Sequence, residues 1–288
     1  MMRYSGCFLF LALASGLGFS SAAFSLSLPN KVNYYGDQFY KDVAQGTKDK
    51  ALVDALRAVL ESRHAMNKSG MDTVPASCDS ASSGCYQHRS IGYGSARKVL
   101  MGQLHLENNS GQYSVKDVYC ETVFTGANSV GPGRVPPSSK LNTEHTWPQS
   151  RFNGSMGKDI QKSDLHHLFP TDSEMNSARS SFKFGDVDVP QKALKCPTVK
   201  FGTARGSSSA IFEPPVAHKG NVARALFYFS VRYRLAIDPN EEEFLRAWHR
   251  LDPVDADEIK RNEAIFKVQN NRNPFIDHPE LESAIADF

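Results

Sequence analysis

The sequence predicts an α+β fold, mainly helical, in one domain behind a short export leader. Three observations carry that reading. Apolar residues recur at helical spacing over 47–63, at Leu52, Leu56, Val59 and Leu60, and again over 221–235. The last third holds helix-start signals: Asp238 with Pro239 next and Glu241 three on, then Asp255 with Glu258. Between these lies a dense polar stretch, 140–185, where a strand reaching Glu144 and His145 precedes a capped helix.

At 288 residues the chain can bury a sizeable core without metal or disulfides. Its 40% hydrophobic and 22% charged residues exclude a disordered or fibrous chain. A net charge of +2 excludes a uniformly basic, histone-like coat.

In chain order, Arg3 precedes an apolar run from Phe8 to Leu17 that ends in Ser20, Ser21, Ala22 and Ala23. That is the pattern of a secretory signal peptide over 1–23, with 24–288 as the mature domain. The run is too short to span a bilayer, and no later stretch reaches about 18 apolar residues. No membrane partner is therefore expected after leader removal. Cleavage near Ala23 removes Cys7 and leaves Cys78, Cys85, Cys120 and Cys196 in an exported chain, where disulfides are expected. The Ser/Gly-rich hexapeptide between Cys78 and Cys85 favours joining those two, which leaves Cys120 with Cys196. No Cys-x-x-Cys pair supports zinc instead.

Residues 70–95 read as irregular and 96–106 as a short helix, while Gly/Pro signals make 126–139 a loop. Residues 190–219, with Pro190, Pro197, Pro214 and Pro215, read as one long loop. Charge is uneven. Residues 190–235 carry eight Lys/Arg against Glu213 alone, a net of +7, whereas 241–288 carry six against twelve Asp/Glu, a net of −6. The basic segment, with Phe201 and Phe212 in it, suits phosphate contacts, or is answered by the acidic C-terminal helices.

The chemistry concentrates in Asn142-Thr-Glu-His-Thr-Trp-Pro, then Asp164-Leu-His-His-Leu-Phe-Pro170, then Thr171 to Ser180. Thr171 and Glu174 form a capping box, so a helix is expected to start there, with Asn176 and Arg179 on one face. A carboxylate from Glu144 and an amide oxygen from Asn176 make a sparse oxygen shell completed by water, which suits Mg²⁺ and suits Zn²⁺ poorly. Glu144 and His145 would point to opposite faces of a regular strand. Both serve one site only where the strand ends or bends, as Pro148 permits. Neutral His145 can then take a proton from water. Asp164, His166 and His167 read either as part of such a site or as a structural hydrogen-bond knot.

Taken together, Glu-His-x-Trp-Pro, Asp-Leu-His-x-Leu-x-Pro and Asn-x-x-Arg-Ser with Phe184-Gly185 following resemble the endonuclease I family of secreted and periplasmic nucleases. The resemblance continues through Gly220 to Tyr228, Arg261-Asn262 and Gln269 to Pro279. It implies a β-hairpin-plus-helix (ββα-metal, His-Me finger) core in a secreted or periplasmic, sequence-nonspecific endonuclease. Its substrates would be DNA and RNA, its products 5′-phosphate ends, and its working unit a monomer. On the matching positions the resemblance makes His145 the general base, Glu144 and Asn176 the Mg²⁺ ligands (Mn²⁺ or Ca²⁺ as substitutes), and Arg179 a phosphate contact. Some members place a further arginine between the first two motifs; here that interval offers Arg151, Lys158 and Lys162. The resemblance turns the basic 190–235 segment into an expected substrate groove, with Lys200, Arg205 and Arg224 as substrate contacts. It makes Arg272 structural. Two rivals are an exported zinc hydrolase using His145, His166 and His167, and a non-catalytic nucleic-acid-binding protein on a nuclease scaffold.

Overall fold

The amphipathic pattern at 47–63 is realised as a helix whose apolar stripe faces the core. In the computed structural model, which describes residues 26–79 and 81–288, α1 (Gly36–Ala44) is followed by α2 (Asp49–Glu61). Leu52, Val53, Leu56, Val59 and Leu60 of α2 are buried. The leader expected over 1–23 lies outside the described residues. A two-residue pair of strands, β1 (His64–Ala65) and β2 (Cys85–Tyr86), spans the irregular stretch, which the Cys78–Cys85 disulfide closes.

The helix expected at 96–106 is α3 (Tyr93–Val99), extended by a π-helical turn Leu100–Leu104. It starts three residues early, because Gly92, at φ 73°, supplies the left-handed turn before it. The antiparallel sheet β3 (Glu107–Asn109), β4 (Gln112–Lys116), β5 (Val123–Thr125) follows. Ser110 and Gly111, both at positive φ (54° and 85°), make its first hairpin turn.

The polar stretch folds as a strand pair and a helix. β6 (Leu141–His145) runs antiparallel to β7 (Leu168–Asp172), with Glu144 opposite Phe169 and His145 opposite Leu168. The connection contains α4 (Lys158–Ser163), and α5 (Ser173–Arg179) leaves β7 directly. The expected Thr171 cap is corrected. Thr171 is a rung of β7 opposite Asn142, so the helix begins after Asp172, whose carboxylate accepts from the amides of Glu174 (3.0 Å) and Met175 (3.2 Å).

The expected loop over 190–219 is also corrected, because it holds most of a four-stranded sheet. Its strands are β8 (Lys183–Phe184), β9 (Val189–Lys192), β10 (Lys200–Thr203) and β11 (Ala210–Glu213), in the order β8-β11-β10-β9. Prolines fit because Pro190 lies in the edge strand β9, where no further strand needs its missing N–H, and Pro214 and Pro215 follow β11. Gly202 of β10 lets the backbone of Val189 and Pro190 approach closely, and the β9–β10 register shifts there.

The C-terminal third is helical as expected. α6 (Val216–Tyr233) is buried on nearly every face and is the central helix. It meets α7 (Pro239–Leu251), α8 (Ala256–Gln269) and α9 (Pro274–Asp277). Asp238 caps α7 through the amides of Asn240 and Glu241, and Asp255 caps α8 through that of Glu258. The main core packs Leu226, Phe227 and Phe229 of α6 with Leu56, Trp248 and Phe275; a second cluster places Leu141, Leu165, Leu168 and Ile265 under the β6–β7 pair.

Asp164 ties these layers together. Its carboxylate accepts from Tyr228 (2.7 Å), Tyr233 (2.8 Å), Gln269 Nε2 (2.7 Å) and the His166 amide (3.1 Å). Burial opposes its ionisation, but the imidazoles of His88, His166 and His167 and the Tyr228 hydroxyl hold it below the usual carboxylate range. His166 and His167 donate from Nε2 to the carbonyls of Asn271 (3.2 Å) and Gln161 (2.8 Å). The Asp-Leu-His-His segment is a hydrogen-bond knot. Arg272 is structural, bonded to Asp277 (2.7 Å) and Glu263 (2.6 Å).

Candidate active site

β6 ends at His145, and the chain turns through Thr146, Trp147 and Pro148 into a short 3₁₀ turn. Glu144 and His145 are the last two residues of the strand, and each meets its own set of neighbours. The guanidinium of Arg179, at the end of α5, fixes that strand end. It donates to the carbonyls of His145 (2.9 Å) and Thr146 (2.5 Å), and its Nη1 lies 2.9 Å from Glu144 Oε1. Because the Nη1 hydrogens point at backbone oxygens, the contact with Glu144 is an ion pair without an aligned hydrogen bond.

Glu144 is 1% exposed. Burial raises its carboxyl above the usual range, opposed by the Arg179 charge and the nearby Tyr119 hydroxyl. Tyr119 is held by Asp117, whose Oδ1 accepts from the amides of Tyr119 (3.0 Å), Cys120 (2.9 Å) and Asp172 (3.2 Å). The adjoining Cys120–Cys196 disulfide fastens this turn to the segment that leads into β10.

His145 sits among different partners. Its ring lies 5.4 Å from Tyr93, 6.2 Å from Phe152 and 5.4 Å from His167. Nε2 is 3.2 Å from the Lys162 carbonyl, which can only accept, so Nε2 carries the proton. Nδ1 is left with a lone pair, faced by the Gln149 amide at 3.4 Å. Burial first, then the neighbouring His167, push the imidazole down to about 3, so it is neutral in ordinary buffers. Lys162 Nζ lies over the Tyr93 ring at 4.7 Å.

Asn176 is half-buried on α5, one turn before Arg179, and its side chain makes no hydrogen bond within the described residues. The buried Glu144 Oε1 likewise accepts none. A carboxylate and a carboxamide oxygen are the donor types that a hard, oxygen-ligated divalent cation takes, and here Glu144 Oε1 is also the ion-pair partner of Arg179. A three-ligand zinc set does not arise, because no group of three His, Cys, Asp or Glu gathers among the described residues and both His166 and His167 have Nε2 engaged.

Two expected contacts are corrected. Arg224 is 1% exposed and bound to Glu258 and to the Asp252 carbonyl, so it faces the core and no groove. Arg179 is equally buried, and its guanidinium is committed to Glu144 and β6; it positions the site and meets no solvent-borne phosphate. The basic segment is largely answered inside the fold: Lys195 by Asp172, Lys200 by Glu213, Lys219 by Asp186 and Glu213. Lys200 remains half-exposed and Arg205 exposed, while Phe212 is fully buried. Sequence reasoning missed Tyr93, Gln149, Tyr119 and the Lys162 carbonyl; only Lys162, in the interval after the Glu-His motif, had a local signal.

The endonuclease I family model matches residues 82–280, and the chain belongs to that family. An extracellular ribonuclease of Bacillus amyloliquefaciens is 37% identical over 163 residues, covering 50% of this chain and 53% of the relative. An extracellular deoxyribonuclease of Aeromonas hydrophila is 34% identical over 163 residues (51% of this chain, 69% of the relative), and a periplasmic deoxyribonuclease of the same organism is 34% identical over 158 residues (49% and 64%). The chain spans about half the length of the first of these relatives.

Proposed function

We propose that this protein is an exported, divalent-metal-dependent endonuclease that hydrolyses phosphodiester bonds of DNA and RNA without sequence specificity, leaving 5′-phosphate ends. The observation that carries the reading is the Nε2–H···O=C bond from His145 to Lys162. It leaves Nδ1 as the base, one residue from a buried carboxylate oxygen that has no hydrogen bond. Family membership, the relatives' names and the two disulfides support a nuclease working outside the cytoplasm. We read 24–288 as one nuclease domain that works as a monomer, with the β6–β7–α5 unit as its ββα-metal core.

Glu144 and Asn176 would hold the metal, with Mg²⁺ the best match to an all-oxygen, water-rich shell. When bound, it supplies Lewis-acid stabilisation of charge on the phosphate and the leaving oxygen. His145, kept neutral by burial, takes the proton of the attacking water at Nδ1, displacing the long Gln149 contact. An incoming phosphate raises the proton affinity of the imidazole, since a nearby anion favours the cationic form. Lys162, whose ammonium shares the Tyr93 ring with His145, supplies the cation for the phosphate. Lys200, in β10, and Arg205, in the turn that follows it, contact the polyanion further out.

The test is plasmid and RNA degradation with the wild type and His145→Ala under a metal titration. Loss of a general base costs about 10²–10⁴-fold in rate. His145→Ala should lose activity by that factor while unfolding like the wild type, and EDTA should stop cleavage that Mg²⁺ or Mn²⁺ restores. Retained activity removes His145 as base; EDTA resistance removes the metal.

A further inference from the structure

The apolar face of the β8–β11 sheet runs from the core out to an open rim. Phe184 and Phe212 are fully buried, and Phe212 packs under Tyr119 with its ring centroid at 5.0 Å. Phe182, two residues before Phe184, is 37% exposed, and Phe201 is half-buried. Their rings meet edge to face at 4.8 Å and 67°. Lys192 Nζ lies 5.4 Å from the Phe201 centroid.

This rim adjoins the candidate site. Phe182 is three residues beyond Arg179, at most about 10 Å of chain. The turn at Ser180 (φ 52°) shortens that span, and the Phe182 amide donates back to the Arg179 carbonyl at 3.1 Å. Charge is also distributed selectively. Whereas the side chains of Lys195, Lys200 and Lys219 pair with carboxylates, those of Lys192 and Arg205 form no ion pair among the described residues, and Asp188 accepts only from the Arg205 backbone amide.

We propose that Phe182 and Phe201 form a stacking platform for unpaired nucleobases, with Lys192 and Arg205 binding the flanking phosphates. The inference rests on the nuclease reading and deepens it by naming single-stranded nucleic acid as a favoured substrate. Every base has a π-face, so stacking on aromatic rings tolerates any sequence, but it requires bases that are not paired within a duplex. Lys192 leaves the Phe201 ring for a phosphate when a base takes its place.

The experiment compares KM and kcat for single-stranded DNA, single-stranded RNA and duplex DNA, using the wild type, the F182L/F201L pair and the F182Y/F201Y pair. Stacking on one aromatic is worth on the order of tenfold in affinity. The leucine pair should raise KM for both single strands about tenfold more than for the duplex, with kcat little changed, and the tyrosine pair should restore it. An unchanged ratio between single-strand and duplex KM overturns the platform. So does a tyrosine pair that behaves like the leucine pair, which would reveal a packing role. If the wild type cleaves none of the three substrates, the nuclease reading falls by itself. Quenching of a 2-aminopurine single strand by the wild type, lost in the leucine pair, then still decides the platform, and equal quenching by both overturns it.

Discussion

Tyr233→Phe and Tyr228→Phe probe the Asp164 knot without changing buried volume. Tyr233 loses one bond to the carboxylate (2.8 Å) and a long one to the Ile160 carbonyl (3.4 Å). A hydrogen bond to a charged group contributes about 1.5–3 kcal/mol, so Tyr233→Phe should cost about 2 kcal/mol. Tyr228 loses a similar bond (2.7 Å), but its oxygen also accepts from the Asn271 amide, and Asn271 is fully buried. Stranding that donor adds roughly 1–2 kcal/mol, giving about 3–4 kcal/mol for Tyr228→Phe. Urea unfolding followed by circular dichroism gives both values from the shift in midpoint at constant slope. The double variant should depart from additivity, because both hydroxyls serve one oxygen of Asp164. If Tyr228→Phe costs no more than Tyr233→Phe, or both cost less than about 0.5 kcal/mol, the knot does not hold the layers together.

Burial keeps His166, His167 and His278 down to about 4 and His88 and His218 down to about 3. Unfolded, these groups take up protons near pH ~6.5, so stability is full above that value and falls as pH drops toward ~4; a flat urea midpoint across that window contradicts the burial of neutral imidazoles. Opening Cys120–Cys196, which closes 76 residues, should cost about 4 kcal/mol against about 2 kcal/mol for the seven-residue Cys78–Cys85 ring. Single Cys-to-Ser pairs measured by urea unfolding test that order, and the reverse order refutes it. Arg179→Met should destabilise by about 3–5 kcal/mol by leaving Glu144 buried without its counter-charge, and Glu144→Gln in that background should recover part of the loss. No recovery in the double variant would mean that the backbone bonds of Arg179 matter and the ion pair does not.

Much of the helical architecture was legible because its signals are local. The stripe of α2 and the caps at Asp238 and Asp255 need only neighbours three or four residues away. The β9–β10–β11 region was not legible. Its pairing depends on contacts across many residues, and its prolines, harmless at an edge, outweigh the strand pattern in a local reading. At the site, the strand end at His145 followed from Pro148, whereas Tyr119 and Tyr93 arrive from distant segments that carry no nearby motif. Charge misled for a related reason: the sequence counts Arg224 as basic, but the fold pairs it with Glu258, 34 residues away.

The imidazole of His145 and the turn after it are gripped through main-chain oxygens: Lys162 C=O holds the ring, and Arg179 holds the carbonyls of His145 and Thr146. Every residue type carries the same carbonyl. Replacing the side chains at 146 and 162 therefore leaves these bonds in place, whereas replacing Arg179 removes the two to the carbonyls of His145 and Thr146, so tolerance to sequence drift around His145 is set by backbone shape.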